Sequence, residues 1–404
     1  METRMDYISA RGLLLSRARP VGTETVPLTA SFGRVLARGL RAAEDVPAFD
    51  RSPYDGYALR AADTAGACAD APVTLRILEE IPAGAVPTRT VAAGTASKVL
   101  TGAPIPPGAD AVINFEATRF TAETVTLSAP LAPGKNIVRR GEDVRCGALL
   151  AAPGTVIDAG LCGTLAAQGV AAPEVFRVPR VAVFSTGSEL VEPDADVRPG
   201  CIRNTNAYSL CAALRAAGLE PVYLGTAGDD VGAIAALLES GLRSCDAVVC
   251  SGGVSVGDYD LTPDAMERCG VEMLLRGVAL KPGMACAYGV REGKIVCALS
   301  GNPASSLINL YTVALPALKT LAGRADAVPA EITLTLRDGF PKKSGSTRIL
   351  RGRLALERGR AELVLPGDQG NVVLSSTVGS NALAVIPAGS GPVPAGTELK
   401  GFLI

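Results

Sequence analysis

The 404-residue chain has no histidine at all. Without imidazole, a Ser-His-Asp triad, an H-E-x-x-H zinc site and a Cys-His protease pair are excluded together. Acid–base or metal chemistry must rest on carboxylates, lysine, cysteine, hydroxyls or backbone groups. The ten cysteines are scattered with no C-x-x-C pair, so they read as small buried hydrophobes in a reducing cytosol rather than a zinc or disulfide framework. No stretch approaches the ~18 uninterrupted apolar residues that a membrane span needs. The first 19 residues mix charges with leucines and do not read as a signal peptide. The formal net charge of −1 offers nothing to nucleic acid or to an anionic membrane. A G-x-G-x-x-G run after the strand Val181–Phe184 is missing, and so is a Walker A sequence.

What is present is a chain too long for one core, with two to four domains as the expectation. Its 45 glycines and 28 prolines sit between periodic apolar segments, which fits many short strands and turns rather than disorder. Tyr7–Arg19 reads as a short helix ending at Pro20. Short β-like runs follow at Val73–Leu78, Lys98–Leu100, Ala111–Phe115 and Thr124–Leu127, and a helix is expected at Ala159–Gln168. Residues 1–177 are taken as one composite N-terminal region, with a mainly β lobe at about 47–144 inserted into it.

Between 178 and 325 apolar strands alternate with helical patterns. Strands are predicted at Val181–Phe184, Pro221–Leu224, Ala247–Cys250, Met273–Val278, Ala285–Val290 and Lys294–Leu299. Helices are predicted at Ala207–Ala217, Val231–Leu242, Pro263–Cys269 and, as one long element, Ala304–Leu321. This is the βαβ rhythm of a doubly wound, mostly parallel α/β domain. Residues 326–404 return to short strands, Glu331–Leu336, Arg348–Leu356, Ala361–Leu365 and Ala382–Ile386, and are expected to form a small β-barrel or sandwich. The fold class is therefore multidomain α/β.

In such a sheet ligands bind beyond the carboxyl ends of the parallel strands. The segments there are Ser185–Glu189, Gly225–Asp230, Ser251–Asp260 and Ser300–Pro303, rich in small residues and carrying Glu189, Asp229, Asp230, Asp258 and Asp260. One such glycine loop is ordinarily only a turn; four in one domain, with clustered carboxylates, favour a site joining Mg²⁺ to a phosphorylated ligand. In the N-terminal half, Asp45–Ala58, Thr101–Pro106 and Arg139–Asp143 read by spacing alone as turn-rich loops.

Seven strings change that balance: Asp45–Ala58, Thr101–Pro106, Asn136–Asp143, Ser185–Leu190, Ser251–Asp260, Lys281-Pro282-Gly283 and Gly301-Asn302-Pro303. Their order resembles that of the molybdopterin molybdenumtransferases, a family that includes the C-terminal part of gephyrin, over almost the whole chain. The resemblance implies a central molybdopterin-binding domain and a homodimer whose cleft lies between the central domain of one subunit and the N-terminal lobe of the other. It implies a Mg-dependent cytoplasmic enzyme that takes molybdate and adenylyl-molybdopterin and releases AMP with the finished cofactor. Asp55, Thr101, Asp143, Glu189 and Asp260 would be catalytic, and Glu189, Asp229 or Asp230, and Asp260 would hold the metal. Ser251, Gly252, Gly253, Lys281, Gly301, Asn302, Pro303 and Ser305 would bind the pterin nucleotide and the oxyanion. Molybdopterin adenylyltransferase and molybdoenzyme acceptors are the protein partners it suggests.

The chain departs from the pattern at Tyr54, Met284, Ala285 and Ser300, where the family has methionine, lysine or arginine, proline and proline. Met284 removes a cation beside the implied molybdate site and leaves molybdate versus tungstate open. Two other readings stand beside the enzyme: a pterin-binding scaffold without turnover, favoured by Met284, and a pterin adenylyltransferase. The acidic residues kept in the N-terminal half, Asp55 and Asp143 among them, favour the enzyme.

Overall fold

The computed structural model describes residues 4–254, 261–357 and 359–404. The chain forms two compact units, one of Met1–Arg38, Ala152–Cys162 and Ala171–Ile404, the other of Gly39–Ala151 and Gly163–Val170.

The larger unit is built on a six-stranded sheet in the order Glu220–Ala227, Arg180–Thr186, Ala247–Ser251, Lys294–Leu299, Cys286–Arg291, Glu272–Arg276. The first four strands run parallel, and Cys286–Arg291 is antiparallel to both of its neighbours, so Glu272–Arg276 shares the direction of the first four. Alternate side chains enter two different cores: Val181 and Val183 on one face, Ala182 and Phe184 on the other. Both faces are thus covered, and the parallel strands read as unbroken apolar runs for that reason. The helix Asn206–Ala216 contributes Leu210 and Leu214 to the first core, and Val231–Ser244 contributes Ile234 and Leu238 to the second. The chain leaves Arg180–Thr186 toward one sheet edge and later returns to its other side, so the order reverses between this strand and Ala247–Ser251. That reversal opens a crevice at the strands' carboxyl ends.

The long helix expected over Ala304–Leu321 is present without a break, but it is not uniform. It runs as Pro303–Asn309, a π-helical turn Leu310–Ala314, and Leu315–Leu321. Pro316 explains the wider turn: it has no N–H for the Thr312 carbonyl and its ring crowds that group. The same unit closes with a five-stranded barrel in which Thr347–Glu357, Arg360–Val364, Ile332–Leu336, Glu398–Leu403 and Ala382–Ile386 pair in turn, and the last pairs back to the first. The strand Glu398–Leu403 was not foreseen from the sequence.

The smaller unit carries its own six-stranded sheet, ordered Ala111–Asn114, Gly56–Leu59, Thr95–Val99, Val73–Ile81, Thr124–Leu127, Thr118–Phe120. Tyr57 and Leu59 pack on one face and Ala58 on the other. At Gly56 a Cβ would sit 2.0 Å from the Ile113 carbonyl oxygen, so only glycine lets the edge strand Ala111–Asn114 approach Gly56–Leu59.

Candidate active site

A cavity of about 560 Å³ occupies the crevice of the α/β sheet. Ser185, Thr186, Glu189, Ser251, Gly253, Ser300, Gly301, Asn302 and Pro303 line it, with Asn204 and Asn206 from the start of a helix and Val372 from the barrel. Three of the four post-strand loops singled out in the sequence, those starting at Ser185, Ser251 and Ser300, line this one volume, because parallel strands deliver their carboxyl ends to the same rim; Gly225–Asp230, after the edge strand, does not line it.

The loops are tied to one another by buried polar side chains. Asn206 donates from its amide nitrogen to Ser251 Oγ at 2.6 Å and to the Gly301 carbonyl at 2.8 Å. Ser251 in turn donates to the Ser300 carbonyl at 2.9 Å. On the opposite wall Ser185 donates to Asn204 Oδ1, and the Asn204 amide donates to the Tyr223 hydroxyl. Tyr223 and Tyr208 both donate to the Glu192 carboxylate, at 2.5 and 2.6 Å. That hydrogen bond pushes the Tyr208 pKa up to about 12, while burial and then Glu192 push up that of Tyr223, so both stay protonated donors.

Two features of this wall fit an anionic ligand. Thr186 Oγ1 is buried and has no hydrogen-bond partner among the described residues, an arrangement that costs stability unless something else satisfies it. Beside it, Gly252 and Gly253 have φ of +109° and +62°. A Cβ on Gly252 would fall 2.3 Å from the Thr186 carbonyl oxygen, so the backbone passes where no side chain fits. The Gly252 N–H is spent on the Leu299 carbonyl at 3.0 Å, so what this strand end offers an anion is the Gly253 backbone beside the buried Thr186 hydroxyl, without a bulky neighbour.

Among the carboxylates, Glu189 lines the cavity and folds back over its own turn, where a Cβ on Gly187 would meet its Oε2 at 2.4 Å. Asp229 accepts from the Ser188 N–H at 3.1 Å while its own N–H donates to Ser188 Oγ, which holds it against the same loop. Asp230 caps the helix Val231–Ser244 by accepting from the Ala233 N–H at 2.7 Å. Asp258 and Asp260 lie outside the described residues. Among the described residues no three metal-binding side chains gather. Mg²⁺, however, takes one or two carboxylates together with phosphate oxygens and water, a donor set that Glu189 and Asp229 fit.

Lys281 is exposed and does not line the cavity; it pairs in strand register with Arg348 of the barrel. Ser305 is buried on the helix that starts at Pro303. The first turn of that helix is partly used already, since the Ala304 N–H donates to the Asn371 carbonyl at 3.2 Å. The loop carrying Asn371 and Val372 is anchored by Arg351, whose buried guanidinium donates to Ser376 Oγ and to the carbonyls of Gln369 and Gly370.

In the smaller unit Asp55 and Thr101 are brought together. Asp55 Oδ1 accepts from the Thr101 N–H at 2.6 Å and from its hydroxyl at 2.9 Å. These bonds, the backbone one first, hold its carboxyl below the usual carboxylate range. Asp143 is exposed and its N–H is bonded to the Val46 carbonyl. Asp45 and Asp50, from the same sequence string as Asp55, are engaged instead by Arg140 and Arg139. Sequence reading missed Asn204 and Asn206, Arg203 beside them on the cavity wall, and the orphaned Thr186 hydroxyl. The Arg203-Asn204-Thr205-Asn206 run before a helix was the signal available for the first three.

These features define a multidomain α/β protein built around a ligand-sized cavity at a topological switch point, followed by a closed five-stranded barrel. Family models match the chain in three consecutive stretches. They are the MoeA N-terminal region (domains I and II) at residues 5–169, a probable molybdopterin-binding domain at 182–320, and the MoeA C-terminal region (domain IV) at 333–401. The molybdopterin molybdenumtransferase of Staphylococcus aureus strain Mu50 is 34% identical over 372 residues, 92% of this chain and 89% of the relative. The molybdopterin molybdenumtransferase 2 of Mycobacterium tuberculosis strain CDC 1551 is 36% identical over 394 residues, 96% of each. The crystal structure of the molybdopterin biosynthesis MoeA protein from Pyrococcus horikoshii OT3 superposes with a TM-score of 0.85 at 32% identity, covering 100% of both chains. The chain belongs to the MoeA family of molybdopterin molybdenumtransferases.

Proposed function

We propose that this protein is a molybdopterin molybdenumtransferase, inserting molybdenum from molybdate into adenylyl-molybdopterin with release of AMP. The observation that carries the reading is the cavity at the strand ends, where glycine backbone, hydroxyls and an unsatisfied Thr186 surround a space large enough for a pterin nucleotide. Family membership supplies the identity of that ligand.

In this reading the Gly253 and Gly301 backbone N–H groups hold the phosphates, while Gly252 and Asn302, whose N–H groups donate to the Leu299 carbonyl and Ser300 Oγ, shape the two loops. Thr186 gains its missing partner from the ligand. Asn206 keeps the two phosphate-facing loops at a fixed separation, and Asn204, oriented through Tyr223 and Glu192, fixes the facing wall. A Mg²⁺ ion held by Glu189 and Asp229, with Asp260 as a further candidate, would polarise the phosphoanhydride bond when bound. Asp230 serves the helix cap in preference to the metal. Lys281 neutralises the oxyanion, and Ser305 contributes its hydroxyl there. Asp55, held ionised by Thr101, and Asp143 serve the hydrolytic step from the partner copy of a homodimer, an arrangement that rests on the family resemblance.

The test is incubation of the protein with adenylyl-molybdopterin, Mg²⁺ and molybdate, with AMP and active cofactor both measured. Stoichiometric AMP and cofactor support the reading. Tight binding of the pterin nucleotide without AMP would instead indicate a scaffold. Mixing Asp55→Asn with Glu189→Gln subunits should restore part of the activity if copies share a site; no recovery despite demonstrated subunit exchange would remove the shared site.

A further inference from the structure

The cavity has little positive charge of its own: among the described residues its lining carries one cation, Arg203, and one anion, Glu189. A tetrahedral dianion such as molybdate needs more than that to leave water. The surplus lies just outside, along the turn Gly277–Ala285. Arg276 precedes this turn, Lys281 lies on it and Arg4 contacts it at Met284 and Gly277; none of the three takes part in any ion pair among the described residues. The barrel's Arg348, paired in register with Lys281 and donating to Ser344 Oγ, likewise takes part in no ion pair among the described residues. In a chain whose cations and anions are nearly equal in number, cations without ion pairs along one turn favour an anion there.

Arg4 is placed there by specific contacts. Met5 forms a bridge with Val278, and the Ala279 N–H donates to the Met5 carbonyl at 2.8 Å. Arg4 Nη1 then lies 2.9 Å from Met284 Sδ. At Gly277, with φ of +74°, an added Cβ would fall 2.9 Å from Arg4 Nε, so the glycine leaves the guanidinium its room. A thioether is a weak acceptor; the contact orients Arg4 while leaving its charge and most of its donors unspent. Met284 is 42% exposed, and Ala285, the next residue, lines the cavity. On the other side of the turn, Gly283 faces the Ser305 carbonyl and Asn309, whose amide donates to the Gly283 carbonyl at 2.6 Å. The turn that bears Lys281 and Met284 is therefore fixed against the helix whose first residue, Pro303, is also part of the cavity wall.

We infer that Arg4 is the second cation of the oxyanion subsite, reaching it from the Arg4–Met5 segment and offering its planar fork to molybdate beside Lys281. The inference rests on the reading of Lys281 as an oxyanion ligand and deepens it. A guanidinium suits the task because two of its N–H groups bond two oxygens of one tetrahedral anion.

The experiment measures AMP release against molybdate concentration at saturating adenylyl-molybdopterin, for wild type, Arg4→Gln, Arg4→Lys, Lys281→Gln and the double variant Arg4→Gln/Met284→Lys. For Arg4→Gln the half-saturating molybdate concentration should rise about tenfold, with the maximal rate and the pterin-nucleotide dependence unchanged. Arg4→Lys should keep most of the affinity, and Met284→Lys should restore it in the Arg4→Gln background by returning a cation to the same spot. An unchanged molybdate curve for Arg4→Gln overturns the inference, and so does a shift confined to the pterin nucleotide. If Lys281→Gln raises the molybdate requirement while Arg4→Gln does not, only the role of Arg4 falls. If neither does, the oxyanion reading of Lys281 falls with it.

Discussion

The two units hold their functional side chains by opposite means. In the α/β cavity, Ser185, Ser251, Asn204 and Asn206 are buried and fixed in two sets of hydrogen bonds, Ser185 with Asn204 and Asn206 with Ser251. In the β lobe, Asp55 is exposed and, among the described residues, its carboxylate accepts hydrogen bonds from one residue, Thr101. The first arrangement is a preformed binding wall, where losing one member leaves its partners unsatisfied away from water. The second is a solvated carboxylate whose value is its charge, with orientation supplied by a single neighbour. Damage to the cavity should therefore show in binding and stability together, and damage to Asp55 in turnover alone.

The largest effect expected is from Asp55→Asn. The amide oxygen can still accept from Thr101, so the lobe keeps its geometry while the charge disappears. Turnover in the AMP assay should fall by on the order of 10²–10⁴-fold, with an unchanged urea midpoint. Near-normal turnover would show that this charge does no chemistry.

Gly252→Ala should be the more damaging of a pair of glycine substitutions. Its new Cβ meets the Thr186 carbonyl oxygen, whereas one on Gly225, with φ of +94°, meets nothing within 4 Å. Both carry left-handed strain of roughly 1 kcal/mol, so the excess seen at Gly252 in urea unfolding, together with lost pterin-nucleotide binding, isolates the steric part. Equal effects at the two positions would mean that the close approach at Gly252 is unimportant.

Asn206→Ala removes the link between the Ser251 and Gly301 loops. A buried pair of such bonds is worth about 1–3 kcal/mol, and the weakened wall should raise the Kd for the pterin nucleotide about tenfold by calorimetry. Unaltered affinity with a lower urea midpoint would assign Asn206 to the fold alone.

Thr101→Val should have the smallest effect at neutral pH and reveal itself in acid. Thr101 lowers the Asp55 pKa by bonding its charged form. The folded-state pKa is depressed, so the carboxylate survives as pH falls and is lost only on passing below the usual range. Removing the hydroxyl bond while keeping the backbone one should move the acid limb of the turnover profile to higher pH. A limb that stays put would show that the hydroxyl does not tune Asp55.

The same contrast explains what the sequence could reveal. The βαβ rhythm was legible because parallel strands buried on both faces, such as Ala247–Ser251, are unbroken apolar runs bounded by turns. The cavity loops were legible because topology alone puts strand ends on one rim. Asn204 and Asn206 were not, since an asparagine near a helix start reads as a local cap, and its partners lie 19 to 95 positions away. The π-helical turn before Pro316 was missed because the apolar pattern continues through it. The pairing of Thr23–Thr25 with Glu174–Phe176 joins segments about 150 residues apart, which no local pattern encodes. Arg4 was invisible for the same reason: its meeting with Met284 spans 280 positions.

The central claim is that the cavity binds a pterin nucleotide that the protein then converts. A single-turnover reaction of wild-type protein with adenylyl-molybdopterin and Mg²⁺, with and without molybdate, tests it directly. The account predicts one AMP per pterin consumed and recovery of active molybdenum cofactor only when molybdate is present. Bound pterin nucleotide that remains intact under both conditions would contradict it.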